Sequence, residues 1–124
     1  MKTQGLQVLI VDDNSMNRKL ISMLLQNMGN QVEEAAGGID CLEMVCQKKY
    51  DVVFMDHLMP FMDGIETLNR MCALDASLNL DTPVIALTAD DMRNGKDFYL
   101  QSGFQGYLVK PVLPKHLEEM IAEL

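Results

Sequence analysis

One short apolar run, Val52-Val53-Phe54-Met55, constrains the fold of this chain more than any other feature, because four consecutive residues are bulky and apolar. A strand with one solvated face alternates apolar and polar residues, whereas a continuous run predicts a strand that is buried on both faces. Strands of that kind occur in parallel sheets that carry helices on both sides. The run therefore predicts a central strand of a layered α/β domain.

The residue that ends this run is a carboxylate, Asp56, and a loop containing Pro60 and Asp63-Gly64 follows it. A carboxylate at the rim of an apolar sheet loses hydration, so it needs a cation, a hydrogen-bond donor or a reaction partner to compensate it. Asp56 is therefore a candidate functional residue, and the groups that compensate it must come from other parts of the chain.

Strand and helix patterns alternate along the sequence. Apolar runs predict four more strands, at residues 6–11, 31–35, 84–87 and 107–109. Apolar residues three and four apart predict five helices, at residues 15–28, 37–49, 65–74, 90–102 and 114–121, with a polar loop at 75–82. Five strands and five helices joined by short connections predict one doubly wound α/β domain over residues 1–124.

Polar residues follow four of the predicted strands: Asp12 and Asp13 the first, Asp56 the third, Thr88 the fourth and Lys110 the fifth. The carboxyl ends of parallel strands share one edge, and in the 2-1-3-4-5 order the first and third strands are neighbours. Three carboxylates then converge, which is tolerable around a hard cation. An all-oxygen ligand set without His or Cys favours Mg²⁺.

Lys110 and Thr88 add an ammonium and a hydroxyl at the same edge, and these groups suit a phosphoryl oxyanion. A carboxylate so placed can attack phosphorus and form an acyl phosphate. Taken singly, Asp12 and Asp13 could simply cap the next helix, and a Lys or Thr at a strand end is usually just solvated. Their convergence favours a phosphoryl-transfer site, because turn chemistry does not require this combination.

Charge and composition exclude several other classes. A net charge of −8 disfavours direct binding to nucleic acid or anionic lipid, since both depend on clustered Lys and Arg. No apolar run approaches the ~20 residues that span a bilayer, and none resembles the core of a signal peptide, so we expect a cytoplasmic protein. Cys41, Cys46 and Cys72 lack metal-type spacing and are predicted to be reduced core residues.

Four motifs resemble the receiver domain of two-component response regulators, in the right order and over essentially the whole chain. They are Asp12-Asp13-Asn14, M-D-x-x-M-P-x-M-D-G from Met55 to Gly64, A-L-T-A from Ala86 to Ala89, and Y-L-V-K-P from Tyr107 to Pro111. The residues around His57 and the sequence Phe-Gln-Gly-Tyr before the last strand are most similar to receivers of hybrid sensor histidine kinases. The resemblance implies a flavodoxin-like sheet and a signalling switch rather than an enzyme, one that catalyses only its own phosphorylation and slow autodephosphorylation.

The resemblance also implies a role for each site residue. Asp56 would be the phosphoacceptor, Thr88 and Lys110 would contact the phosphoryl group, and Tyr107 would be an aromatic switch residue rather than only a packed ring. The implied Mg²⁺ ligands are Asp13 directly, Asp12 through water, Asp56 and the backbone carbonyl of Leu58. The Lys110-Pro111 bond would be cis, and His57 is expected at the surface or against a helix rather than on the metal.

The implied partners are a histidine kinase or histidine phosphotransfer domain as phosphoryl donor, and a downstream effector domain or protein. The effector would bind the face formed by the fourth helix, fifth strand and fifth helix. Leu58 and Asp90 flank the site where the family varies the lifetime of the acyl phosphate. The chain would be either a stand-alone regulator or the cytoplasmic part of a larger, membrane-anchored kinase.

Three alternatives share parts of this pattern. A flavodoxin-like electron carrier has the same strand order, but Asp12 and Asp13 would repel its flavin phosphate. A phosphatase of the haloacid dehalogenase type places a second Asp two residues after its nucleophile, where this chain has Leu58. A receiver-like domain that binds partners without phosphorylation is the third, and the intact set of acids disfavours it.

Overall fold

Strand and helix alternate along the chain in the computed structural model, which describes residues 4–89 and 95–124. The strands are β1 (Gln7–Val11), β2 (Gln31–Ala35), β3 (Val52–Asp56), β4 (Val84–Thr88) and β5 (Gly106–Val109). The helices are α1 (Ser15–Asn27), α2 (Gly38–Met44), α3 (Gly64–Ala73), α4 (Gly95–Gln101) and α5 (Pro114–Ala122). Every predicted element is present, while residues 90–94, predicted to start the fourth helix, and with them Asp90, lie outside the described residues.

The five strands are parallel and lie in the order β2-β1-β3-β4-β5, which confirms the predicted doubly wound topology. Val11 pairs with Ala35 on one side and with Met55 on the other, and Thr88 pairs with Val109. The carboxyl ends of the strands therefore finish at one edge of the sheet. That edge carries the polar residues that end β3 and β4 and those that follow β1 and β5.

β3 is buried along its whole length, and its side chains alternate between two apolar clusters. Val53 and Met55 pack with α2, α3 and α4 on what we call the α2/α3/α4 face, whereas Val52 and Phe54 pack on the α1/α5 face. Burial of side chains of this size contributes about 1.5–3 kcal/mol each. The strand beneath Asp56 is thus fixed from both sides, as the continuous apolar run predicts.

Helix α2 is shorter than predicted, since it ends at Met44 and not at Lys49. The carbonyl of Val45 accepts hydrogen bonds from the Leu78 amide and the Asn79 side-chain amide, both at 2.9 Å. The carbonyl of Lys48 accepts from the same Asn79 amide at 2.7 Å. A helix that continued to Lys49 would use the carbonyl of Val45 internally, so contacts with the segment before β4 accompany the early end of α2.

Residues 75–82 form a polar loop, as predicted, and Asn79 joins this loop to the segment after α2. Its side chain is 3% exposed, and its Oδ1 accepts from the Tyr50 amide at 2.7 Å and from Thr82 Oγ1 at 2.9 Å. Together with the two bonds from its amide group, four hydrogen bonds depend on one side chain. An asparagine is needed here because it is both donor and acceptor.

We expect Asn79→Ala to lower the free energy of unfolding by about 2–4 kcal/mol, because it leaves buried backbone groups without partners. Urea denaturation followed by circular dichroism measures this change. Asp75→Ala, a truncation of similar size at an exposed position of the same connection, is the matched control and should change stability by less than about 0.5 kcal/mol. Equal effects of the two substitutions would mean that Asn79 does not hold the two segments together.

The cysteines follow the prediction of core positions only in part. Cys41 is buried as predicted, but Cys72 is exposed, so the prediction of a core position was wrong for Cys72. Cys72 follows the buried Met71 on α3, and successive helical residues point about 100° apart, which turns Cys72 away from the sheet.

No helix within residues 4–89 and 95–124 is long and apolar enough to cross a membrane.

Candidate functional site

The two acids after β1 occupy different environments: Asp12 is fully buried, whereas Asp13 is exposed. Asp12 Oδ1 accepts a hydrogen bond from the Asn14 amide at 2.9 Å, which fixes the turn. The N-cap of α1 is Asn14, whose Oδ1 accepts from the Asn17 amide at 3.0 Å. The ordinary capping role therefore belongs to Asn14, and the acids are left for another purpose.

Arg18 braces the backbone of this acidic turn. Its Nη1 donates to the carbonyl oxygen of Asp12 at 2.8 Å, and its Nε donates to Glu34 Oε1 at 2.8 Å. Ser22 Oγ donates to the other carboxylate oxygen of Glu34 at 3.0 Å. Burial raises the pKa of Glu34, but the hydrogen bonds from Arg18 and Ser22 outweigh this effect, so the pKa of the Glu34 carboxyl is lowered. The sequence patterns did not indicate either residue.

Asp56 ends β3 with its side chain almost fully buried, and Lys110 is the cation that faces it. Lys110 Nζ lies 2.9 Å from Asp56 Oδ1 and 3.7 Å from Asp12 Oδ2. Burial raises the pKa of Asp56 to about 6; Lys110 opposes this shift, whereas the charges of Asp12 and Asp13 add to it. The desolvation cost predicted for Asp56 is therefore compensated only in part by Lys110.

A divalent cation fits the remaining electrostatics of the site. Carboxylate oxygens of Asp12, Asp13 and Asp56 lie within 4.8 Å of one another. Asp12 Oδ2 is buried and accepts no hydrogen bond from any residue that the structure describes. A buried acceptor without a hydrogen bond lowers the stability of the fold by about 1–3 kcal/mol, and a hard cation bound to that oxygen would remove this cost. The donor set thus suits Mg²⁺, as the sequence predicts, while the part assigned to the Leu58 carbonyl stays a prediction.

The start of α3 holds the loop after Asp56 in place. The amide of Gly64 donates to the carbonyl of His57 at 2.8 Å, and a Cβ on Gly64 would lie 2.4 Å from the carbonyl oxygen of Asp56. Only glycine allows this approach of two backbones. Asp63 caps α3 through its side chain, which accepts from the Glu66 amide at 2.8 Å. The Asp63-Gly64 pair is therefore turn chemistry that also fixes the backbone at Asp56.

Thr88 and Tyr107 both contact Tyr99 of α4. Sequence patterns indicate Tyr99 only as an apolar position of a helix. The Tyr99 hydroxyl donates to Thr88 Oγ1 at 2.9 Å and lies 3.0 Å from His57 Nδ1. The rings of Tyr99 and Tyr107 stack with their centroids 5.6 Å apart. His57 therefore contacts a helix, as predicted. No sequence signal could have found these hydroxyl contacts, since they join three distant segments.

The peptide bond between Lys110 and Pro111 is cis, as the motif predicted. Leu58 lies exposed in the loop after β3. The structure thus gathers three predicted acids and Lys110 in one crevice. Thr88 instead contacts α4.

Comparisons with known sequences find similarity to one family. A family model described as the response regulator receiver domain matches residues 8–122. The sensor protein GacS of Pseudomonas syringae pv. syringae is 38% identical over 122 residues, which is 98% of this chain and 14% of that protein. The histidine-protein kinase BarA of Escherichia coli K12 is 39% identical over 119 residues, or 94% of this chain and 12% of that protein.

Solved structures agree with the sequence comparison. The receiver domain of the sensor histidine kinase PA1611 from Pseudomonas aeruginosa, solved with a magnesium ion in its active-site cleft, is 29% identical, with a TM-score of 0.85 and 96% coverage of each chain. A chain from the complex of the Saccharomyces cerevisiae histidine phosphotransfer protein Ypd1 with the receiver domain of Ssk1 is 26% identical, with a TM-score of 0.86 and coverage of 99% of this chain and 90% of that one. The chain spans between 5% and 14% of the length of the curated relatives it matches.

Proposed function

The chain belongs to the response regulator receiver domain family, and from that premise we propose that Asp56 is the phosphoacceptor of a two-component phosphorelay. The carboxylate of Asp56 attacks the phosphorus of a phosphohistidine, the P–N bond breaks, and an acyl phosphate forms on Asp56. Residues 1–124 act as one receiver domain. Beyond its own phosphorylation and slow autodephosphorylation, the domain needs no further catalytic activity.

The observation that carries the proposal is the crevice around Asp56. A buried carboxylate there faces Lys110 at 2.9 Å and shares the crevice with two other acids, an arrangement that costs stability and has no structural benefit of its own. Phosphoryl transfer accounts for it, because Lys110 can offset charge on the transferring oxygens. The match to a receiver model also disfavours the electron-carrier and phosphatase alternatives.

Asp12, Asp13 and Asp56 would hold Mg²⁺, together with the carbonyl of Leu58. When bound, the ion supplies positive charge that offsets the oxygens of the transferring phosphoryl group. The buried Oδ2 of Asp12, which accepts no hydrogen bond within the described residues, supports this assignment, and so does the magnesium ion in the cleft of the PA1611 receiver domain. Thr88 would supply a hydroxyl to the phosphoryl group, and Tyr107 would change its packing with it.

Exposed apolar side chains in the segments that follow β1 and β3 support a protein as the phosphoryl donor, namely a histidine kinase or a histidine phosphotransfer domain. Met16 on α1 is 81% exposed, and Phe61, in the loop after β3, is completely exposed. Phe61 also has φ 70°, a strained conformation for a bulky residue. The complex of Ypd1 with the Ssk1 receiver is a precedent for such a donor. The output partner would bind at α4, β5 and α5, and the domain would work in the cytoplasm.

Incubation with Mg²⁺ and phosphoramidate, followed by intact mass measurement, tests the proposal. We expect one phosphoryl group on the wild type, and none on Asp56→Ala or in the presence of EDTA. Asp63→Asn is the matched control, because it changes a carboxylate that caps α3, and it should still gain the adduct. No adduct on the wild type would favour a receiver-like domain that works without phosphorylation, and an adduct that persists on Asp56→Ala would refute the assignment of Asp56.

A further inference from the structure

Tyr99 is a fully buried phenol, and its hydroxyl lies between Thr88 and His57. It donates to Thr88 Oγ1 at 2.9 Å, and it lies 3.0 Å from Nδ1 of His57, the residue that directly follows Asp56. Buried tyrosines usually find a partner for the hydroxyl, but one partner is sufficient. Here one potential partner is the last residue of β4 and the other directly follows β3, so the phenol couples α4 to the edge of the sheet that carries the candidate site.

The side chains of Thr88 and Asp56 leave the sheet on opposite faces. Asp56 lies two residues after Phe54, which packs on the α1/α5 face, and alternation places both on that side. Thr88 lies two residues after Ala86, which packs on the α2/α3/α4 face together with Tyr99. The hydrogen bond from Tyr99 therefore holds the Thr88 hydroxyl on the side of the sheet that faces away from Asp56.

We propose that Tyr99 is a positioning residue that restrains Thr88 in the unphosphorylated protein, so that the Thr88 hydroxyl reaches a phosphoryl group only after leaving Tyr99. Threonine has few staggered χ1 positions, and a rotation that turns Oγ1 across the edge of the sheet breaks the bond to Tyr99. The inference rests on the proposed function, because the phosphoryl group on Asp56 is what competes for Thr88.

His57 is the second polar neighbour of the phenol. Its Nδ1 lies 3.0 Å from the Tyr99 hydroxyl, within hydrogen-bond distance. Because a phenol oxygen can also accept, an Nδ1–H of His57 can pair with this oxygen while the hydroxyl donates to Thr88. The ring of Tyr107 stacks on the ring of Tyr99, so a change at Thr88 that moves Tyr99 also alters the packing of Tyr107, the residue that the motif marks as a switch.

A double-mutant cycle with Tyr99→Phe and Thr88→Val tests the restraint. Phenylalanine keeps the ring and its packing but removes the hydroxyl, so Tyr99→Phe should accept a phosphoryl group from phosphoramidate about threefold to tenfold faster than the wild type, in line with the loss of one net hydrogen bond. In the Thr88→Val background, which lacks the restrained hydroxyl, Tyr99→Phe should change the rate by less than about twofold.

The affinity for Mg²⁺, measured by calorimetry, separates positioning from general disturbance of the site. It should be the same in Tyr99→Phe and in the wild type, since Tyr99 contacts none of the three acids in the described structure. An equal or slower rate in Tyr99→Phe, the same gain in the Thr88→Val background, or a changed Mg²⁺ affinity would overturn the inference. Failure of the wild type itself to accept a phosphoryl group would instead refute the proposed function.

Discussion

Replacement of Asp56 by asparagine should raise the free energy of unfolding of the metal-free protein by about 2–3 kcal/mol at pH 7, although it removes the proposed phosphoacceptor. Burial raises the pKa of Asp56 to about 6 in the folded chain, from an ordinary value of 3.8. At pH 7 the buried carboxylate is ionised in spite of this cost. Asparagine has a similar shape and carries no charge, so the cost disappears.

The sign of the pH dependence follows from proton binding. Between about pH 4 and pH 6 the folded protein keeps a proton on Asp56 that the unfolded chain has already released, so stability falls as the pH rises through this range. Above the pKa that Asp56 has in the folded protein, this loss of stability is complete. The advantage of Asp56→Asn should therefore be small at pH 4 and full at pH 7. Urea unfolding in EDTA at several pH values measures it.

Addition of Mg²⁺ should make the wild type more stable than Asp56→Asn, because the ion binds the folded wild type and offsets the repulsion among its clustered acids. Asp75→Asn is the control, since Asp75 is exposed in the connection between α3 and β4, at the other edge of the sheet. It should change stability by less than about 0.5 kcal/mol at each pH. A metal-free Asp56→Asn variant that is less stable than the wild type at pH 7, or a gain that does not vary with pH, would contradict the argument.

Sequence patterns could predict the sheet and the acids at its edge because both follow from local signals. A continuous apolar run such as the one before Asp56 predicts a strand buried on both faces, and parallel strands place their following residues at one edge. Two steps of reasoning thus suffice to bring Asp12, Asp56 and Lys110 together. The distances among their charged atoms confirm that placement.

The polar residues that join distant segments could not be predicted, because their partners lie far away in the chain. Arg18 and Asn79 are ordinary polar residues until the fold brings a carbonyl or carboxylate to each of them. Helix α2 ends early for the same reason. Tyr99 is the clearest case, since helical periodicity predicts where its ring packs but says nothing about where its hydroxyl donates. The placement of the acids and Lys110 at one edge of the sheet was thus predictable, while the contacts made by Arg18, Asn79 and Tyr99 were not.

Replacement of Lys110 by methionine should have opposite effects on metal binding and on phosphorylation. Lys110 Nζ lies 2.9 Å from Asp56 and 3.7 Å from Asp12, so it competes with a cation for the same carboxylates. Its loss should raise the Mg²⁺ affinity by roughly tenfold or more, because a nearby positive charge is removed. The rate of phosphorylation by phosphoramidate at saturating Mg²⁺ should nevertheless fall by about 100-fold, as when one preorganised donor to a developing charge is lost.

Two further variants separate the local effect of Lys110 from that of net charge. Lys115→Met removes a charge from an exposed position on α5 and should leave both quantities within about twofold of the wild type. Lys110→Arg keeps the charge but presents a wider, planar group, so it should restore the weaker Mg²⁺ affinity without restoring the rate. Calorimetry and intact mass measure the two quantities. If Mg²⁺ affinity and phosphorylation rate fell together in Lys110→Met, Lys110 would be a structural support of the metal site, and its assignment to the phosphoryl group would be wrong.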